Sequence, residues 1–274
     1  FGCNAVGVSG AKIIDSPRER LIAILTNVFV PCNGRFPTLL LLIGVFFAGS
    51  QGNSLLSALM LAGVVGLGIL ITFLISRLLS ATILKGVPSA FTLEPAPYRR
   101  PQVGKVIVRS VLDRTLFVLG RAVIVAAPAG LVIWLMANVT VGGETLLALC
   151  AGFLDPLARL IGLDGVILIA FILGFPANEI VLPIILMAYT ASGTLTDVGS
   201  AMELGRQLSA CGWTWVTALC VILFSLCHWP CSTTLLTIYK ETKSVKWTAL
   251  AFLIPTAAGF ALCFLTARIG GMFL

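Results

Sequence analysis

The chain has 274 residues, 58% of them hydrophobic and 11% charged, with a mean hydropathy of +1.06. A soluble domain carries roughly 25% charged residues, so this composition excludes an ordinary soluble globule and points to a polytopic helical membrane protein. The net charge of +7 gathers in Lys12 to Arg35, Arg77 to Arg121 and Lys240 to Lys246, which is the Lys/Arg bias of cytoplasmic loops rather than of a nucleic-acid-binding face.

Taken in order, Ser16-Pro17-Arg18-Glu19 reads as a helix start, with Ser16 as N-cap, Pro17 at the first helical position and Glu19 at N3. That helix is too short and too charged to span, so it lies at the interface or forms half of a broken helix. Phe36 to Gly49 is apolar but short, and spans only if it extends back into Pro31–Arg35. Ser50 to Asn53 is a turn. Leu55 to Leu79 is a transmembrane helix whose Gly63, Gly66 and Gly68 suit close packing. Residues 80–115 form a cytoplasmic loop broken by Pro88, Pro95, Pro97 and Pro101. Val103 to Arg121 alternates apolar and basic residues, as an interfacial helix would, and leads into a span from Leu116 to Ala137 kinked at Pro128.

Asn138 to Glu144 is a short outer loop. Thr145 to Ile161 is a marginal span interrupted at Asp155-Pro156, and Asp155 and Arg159 are spaced to pair. Val166 to Tyr189 is membrane-length but broken at Phe175-Pro176-Ala177-Asn178. Thr190 to Ala210 is a polar outer segment with a short helix. Trp213 to His228 is apolar and breaks at Trp229-Pro230, after which Cys231 to Tyr239 continues as a half-helix. Trp247 to Ala267 is the last span. The fold expected is all-α: a transmembrane bundle with two gate-type segments containing broken or re-entrant helices. Its parts are residues 1–79 (first gate segment and helices), 80–115 (loop and interfacial helix) and 116–274 (core with the second gate segment). The chain opens on Phe1 in mid-motif with no signal-peptide pattern, and is expected to be an internal or C-terminal part of a longer protein.

Two pairs of interruptions answer each other across the halves: Gly2-Cys3-Asn4 with Pro31-Cys32-Asn33, and Pro176-Ala177-Asn178-Glu179 with Pro230-Cys231-Ser232. Paired broken helices mark a transport site, and polar groups at membrane depth are functional candidates. Fe(II) accepts thiolate, imidazole and carboxylate ligands. Cys3, Cys32 and Cys231 sit at the breaks, whereas Cys150, Cys220 and Cys263 lie within apolar runs and read as packing residues. Glu179 could bind a cation or merely complement a helix N-terminus. Asn4 and Asn178 could offer amide oxygens or cap helices. Cys227 and His228, the single histidine, are left as supporting residues, with His228, beside Trp229, reading first as an interfacial residue with a satisfied hydrogen bond. No P-loop is present, one histidine cannot make a bis-histidine haem site, and the cysteine spacing makes no structural zinc site.

These stretches resemble the membrane domain of the FeoB family of ferrous-iron transporters. The resemblance rests on Phe1 to Asn4, Asp15 to Leu21, Phe29 to Pro37, Gly174 to Pro183, Trp229 to Thr234 and Glu241 to Thr248. It implies Fe(II) transport across the bacterial cytoplasmic (inner) membrane by a multi-pass protein, not an enzyme in this part. It implies no permanently bound cofactor, with GTP and Mg confined to an N-terminal GTPase domain that lies outside this chain. It implies an ion path over Cys3, Cys32, Cys231 and Glu179, contact with membrane lipids, and room for small cytoplasmic accessory proteins and a homo-oligomer, with no nucleic acid. The alternatives are a gate-type transporter of nucleosides or another small organic solute, and a membrane redox enzyme using Cys227 and Cys231.

Overall fold

The computed structural model describes residues 2–47, 54–86, 102–109, 117–190, 193 and 201–272. The turn at 50–53, the proline-rich part of the loop at 87–101 and the outer segment at 194–200 lie outside the described residues. The regular structure among the described residues is helical apart from one two-stranded hairpin, β1 (Thr140–Val141) and β2 (Glu144–Thr145), and an isolated bridge.

The N-terminal part contains α1 (Asn4–Gly10), α2 (Pro17–Thr26) and α3 (Phe36–Phe46). Ser16 caps α2, its hydroxyl accepting from the Glu19 N–H with Pro17 in the first turn, as the sequence spells it. A short 3-10 turn (Asn27–Phe29) then gives way to an irregular stretch at 30–35. The helix over Phe36 does not extend back into Pro31–Arg35. Pro31 and the turn at Asn33-Gly34 deny the backbone a continuous ladder between α2 and α3.

α4 (Ser54–Ala81) is long and apolar enough to cross a membrane. Leu55, Leu59, Leu70, Phe73, Leu74 and Leu78 are exposed along it, which suits a lipid-facing helix and would be untenable in water. α5 (Val103–Arg109) and α6 (Phe117–Asn138, with Pro128 inside) follow.

α7 (Leu146–Leu160) runs through Asp155-Pro156 without a break. The expected interruption is absent because a proline costs one ladder bond that packed neighbours in a membrane helix absorb. The Asp155–Arg159 pair does form, at 2.6 Å. The chain instead turns by 108° between α7 and α8 (Gly165–Leu173).

α8 breaks at 174–177 and resumes, through a 3-10 turn at Asn178–Ile180, as α9 (Val181–Thr190). α10 (Ala201–Ala210) is the short helix of the outer segment. α11 (Trp215–Cys227), α12 (Ser232–Thr242) and α13 (Val245–Gly270) complete the chain. Together α11 and α12 make a membrane-length stretch, and α13 is a third.

The basic segments meet at one end. Arg18 Nε donates to the Leu84 carbonyl, and Lys12 pairs with Glu241 at 3.0 Å. The other end carries the hairpin and a string of polar contacts: Trp213 Nε1 donates to Tyr189 Oη at 2.9 Å, and Tyr189 donates to Asp164. With the Lys/Arg bias placing the first end in the cytoplasm, an impermeant maleimide added outside cells should label Glu144→Cys above the parent background and leave Lys85→Cys unlabelled. The reverse pattern would invert the topology.

Candidate ion path at the helix breaks

The three breaks within helical runs, and the N-terminal stretch, come together at one level of the bundle. Gly2 bridges Cys32 in parallel register, and the Asn33 N–H donates to the Gly2 carbonyl at 2.8 Å. The Ser232 N–H donates to the Phe175 carbonyl at 3.0 Å, joining the 174–177 break to the start of α12. Gly34 lies against the Asn178–Glu179 backbone: a Cβ added there would sit 3.7 Å from Glu179 N and 3.9 Å from Cys32 Sγ. Gly68 of α4 closes one side. A Cβ at that position would come within 2.7 Å of the Phe29 carbonyl oxygen, so only glycine admits this approach.

The thiols follow from this register. Cys3 is the N-cap residue of α1 and Cys231 that of α12. α1 packs on α12, and the Lys12–Glu241 pair joins their C-terminal ends. The two helices are therefore parallel, and both thiols stand at the same end. Cys32 is tied to that end through Gly2. Cys3 is exposed, while Cys32 and Cys231 are half-buried. Cys231 Sγ lies 3.2 Å from Thr234 Oγ1. Among the described residues no three His, Cys, Asp or Glu side chains form a group close enough to hold a metal ion. The thiols thus share a level without making one closed ligand cage.

Glu179 is exposed in the 3-10 turn that opens α9, a position where a carboxylate complements the helix N-terminus and also faces outward. Asn4 is buried, and its carbonyl accepts from Asn27 Nδ2 at 2.8 Å. Cys220 and Cys263 are buried, each thiol donating to the other residue's carbonyl at 3.8 and 3.3 Å. Cys227 is fully buried.

His228 is not interfacial. It is 1% exposed and packs against Phe171, Phe224 and Trp229. Its Nδ1 lies 3.1 and 3.0 Å from the Phe224 and Ser225 carbonyl oxygens, and its Nε2 faces the Asn178 side chain at 3.3 Å. Two acceptors at Nδ1 place the proton there, so Nε2 is an acceptor in the neutral ring. The structure sets Asn178 Oδ1 toward Nε2 and Nδ2 toward the Cys32 sulfur at 3.9 Å; turning the amide over exchanges the two ends and gives this Nε2 a donor and the Cys32 thiol an acceptor.

Arg35 is the residue that the sequence reading misplaced. Counted there with the cytoplasmic charges, it is 1% exposed within the junction. Its Nη1 donates to the carbonyls of Val28 and Leu226 at 3.0 and 2.9 Å. Its Nη2 donates to those of His228 and Trp229 at 3.2 and 3.3 Å. The available signal was an arginine set directly between Asn33-Gly34 and an apolar run, at a break rather than within a polar loop.

Two family models match this sequence. One, described as "Nucleoside recognition", covers residues 119–245, and one described as "Ferrous iron transport protein B C terminus" covers 61–113. The Fe(2+) transporter FeoB of Staphylococcus aureus is 30% identical over 284 residues, covering 100% of this chain and 40% of that protein. The Fe(2+) transporter FeoB of Synechocystis is 26% identical over 271 residues, 97% of this chain and 41% of the relative. A Porphyromonas gingivalis protein described as an Fe(2+) transport protein A/Fe(2+) transporter FeoB fusion is 25% identical over 320 residues, 100% of this chain and 37% of its own length. The chain spans about two fifths of the length of these relatives. No solved structure gives a significant match.

Proposed function

The chain belongs to the FeoB family, as its C-terminal membrane region, and from that premise we propose that it forms the path by which Fe(II) crosses the bacterial cytoplasmic membrane. The observation that carries this reading is the convergence of all the breaks at one level, with the thiols of Cys3, Cys32 and Cys231 at that level. Breaks free backbone carbonyls and helix ends for an ion, and thiols favour a borderline metal over Mg or Ca. Fe(II) is cargo here. An open succession of partial ligand sets suits an ion that must leave as readily as it enters. We place nucleotide hydrolysis in the part of the relatives that this chain does not span. The fusion relative supports a small accessory protein as a partner.

The nucleoside reading has the description of one family model behind it, but the site speaks against it. Phe171, Phe224 and Trp229 are buried against one another and His228. They do not face a space that a base could enter. Uptake of radioactive Fe(II) and of radioactive nucleoside into vesicles carrying the full-length protein separates the two.

Glu179 has its backbone against Gly34 and its side chain exposed. Glu179→Gln keeps its shape and removes its charge, so Fe(II) uptake should fall about fivefold at normal membrane insertion. Unchanged uptake would leave Glu179 as a helix-terminus residue only.

A further inference from the structure

We propose that Arg35 is a built-in cation that occupies the carbonyl cradle at the end of α11 and latches the two gate segments together, so that an ion can use the cradle only when the guanidinium withdraws. The inference rests on the reading of the junction as the ion path, and adds to it the device that keeps the path shut.

A buried arginine needs a counter-charge or a full set of acceptors. Among the described residues Arg35 makes no ion pair. Its charge is met instead by four backbone carbonyls. Three of them, on Leu226, His228 and Trp229, belong to the last turn and the break of α11, where the helix leaves carbonyls unpaired and the dipole favours a positive charge. The fourth, on Val28, belongs to the other gate segment, just before its own break. One planar group therefore spans both segments.

The same carbonyls, with the guanidinium gone, are what a permeating cation meets at a broken helix. Among the described residues the Arg35 Nε–H is buried and has no protein acceptor.

Cys227 reports on the latch. It lies between two of the cradle residues, Leu226 and His228, and is 0% exposed. Cys220 and Cys263, buried at the α11–α13 contact, serve as fold controls. The full-length protein in lipid vesicles is treated with a small membrane-permeant thiol reagent, and modification is read at each cysteine by mass spectrometry. In Arg35→Gln, Cys227 should react about tenfold faster or more than in the parent, the scale of losing hydrogen bonds to a charged group, while Cys220 and Cys263 stay protected. Arg35→Lys keeps the charge and three donors and should fall between Gln and the parent.

Protection of Cys227 in Arg35→Gln equal to the parent overturns the proposal. So does joint exposure of Cys220, Cys227 and Cys263 in a recovered Arg35→Gln protein, since Arg35 would then be a packing residue of the whole bundle. If the Gln variant cannot be recovered, Arg35→Lys decides: selective exposure of Cys227 supports the latch and parent-like protection removes it. Fe(II) uptake is measured in the same vesicles. A parent that takes up no iron removes the transport reading, while the labelling result still decides the latch.

Discussion

Gly165→Ala is expected to destabilise the protein by about 3 kcal/mol or more, the upper range of overpacking effects. Gly165 opens α8 just after the 108° turn from α7. A Cβ there would lie 1.9 Å from the Ala151 carbonyl oxygen, 2.7 Å from the Ala151 carbonyl carbon and 3.0 Å from the Asp155 amide nitrogen. All three belong to the α7 backbone, so no side chain can swing away, and α8 itself has to shift. That shift would pull on the contacts fixing the turn: the Gly165 N–H to Asp155 Oδ1 at 3.1 Å, the Ile167 N–H to Asp164 Oδ1 at 2.7 Å, and the Tyr189 hydroxyl on Asp164. Gly152, also on α7, is the control. A Cβ there meets nothing within 4 Å, and Gly152→Ala should leave stability unchanged or raise it by up to about 1 kcal/mol through helix propensity. Thermal denaturation of the two variants in detergent, followed by loss of monodispersity, compares them directly. Equal midpoints for Gly165→Ala and the parent would show that α7 and α8 are not packed at this distance.

The helix breaks were legible because their causes are local. Pro31, Pro176 and Pro230 remove ladder donors within a few residues of polar groups, inside otherwise apolar runs, and each break falls where those residues stand. Pro156 and Pro255 carry the same covalent lesion but lie inside continuous helices, and for Pro156 the sequence reading expected a break that is absent. Whether a missing ladder bond ends a helix depends on what packs around the freed carbonyl, and that is tertiary information. The 108° angle between α7 and α8 was not readable along the chain, because it comes from the contact of Gly165 with Ala151, fourteen residues away.

The candidate site divides in the same way. Cysteines beside Pro or Asn could be picked out along the chain, but their common level depends on the parallel packing of α1 on α12 and on the Gly2–Cys32 bridge. Arg35 and His228 show the limit most clearly. In one dimension an arginine near Lys12, Arg18 and Arg20 reads as a loop charge, and a histidine beside a tryptophan reads as an interfacial pair. Only the folded backbone reveals that four carbonyls wait for the first, and that a carbonyl pair and an amide wait for the second.

Combining Cys3→Ser, Cys32→Ser and Cys231→Ser should lower Fe(II) uptake about tenfold or more at equal expression, the effect of losing about 1.4 kcal/mol of preference for the ion along its route. Serine keeps roughly the size of cysteine but is a harder and poorer ligand for a borderline metal. Cys3 is exposed and Cys32 and Cys231 are half-buried, so the exchange removes sulfur where an ion can reach it and leaves the packing of the bundle intact. Cys220→Ser with Cys263→Ser is the contrasting pair. Their thiols already donate to each other's carbonyls, and a hydroxyl can make the same bonds, so uptake should stay within about twofold of the parent. Thiol-seeking Cd(II) should compete with Fe(II) in the parent and in the second pair, and lose that competition in the triple variant. Uptake in the triple variant equal to the parent would sink the sulfur path. The ion would then have to move over oxygen alone, along Glu179, the Asn178 amide and the carbonyls at the end of α11. In that case Arg35, which holds those carbonyls in the resting protein, would govern the whole of the route rather than one stage of it.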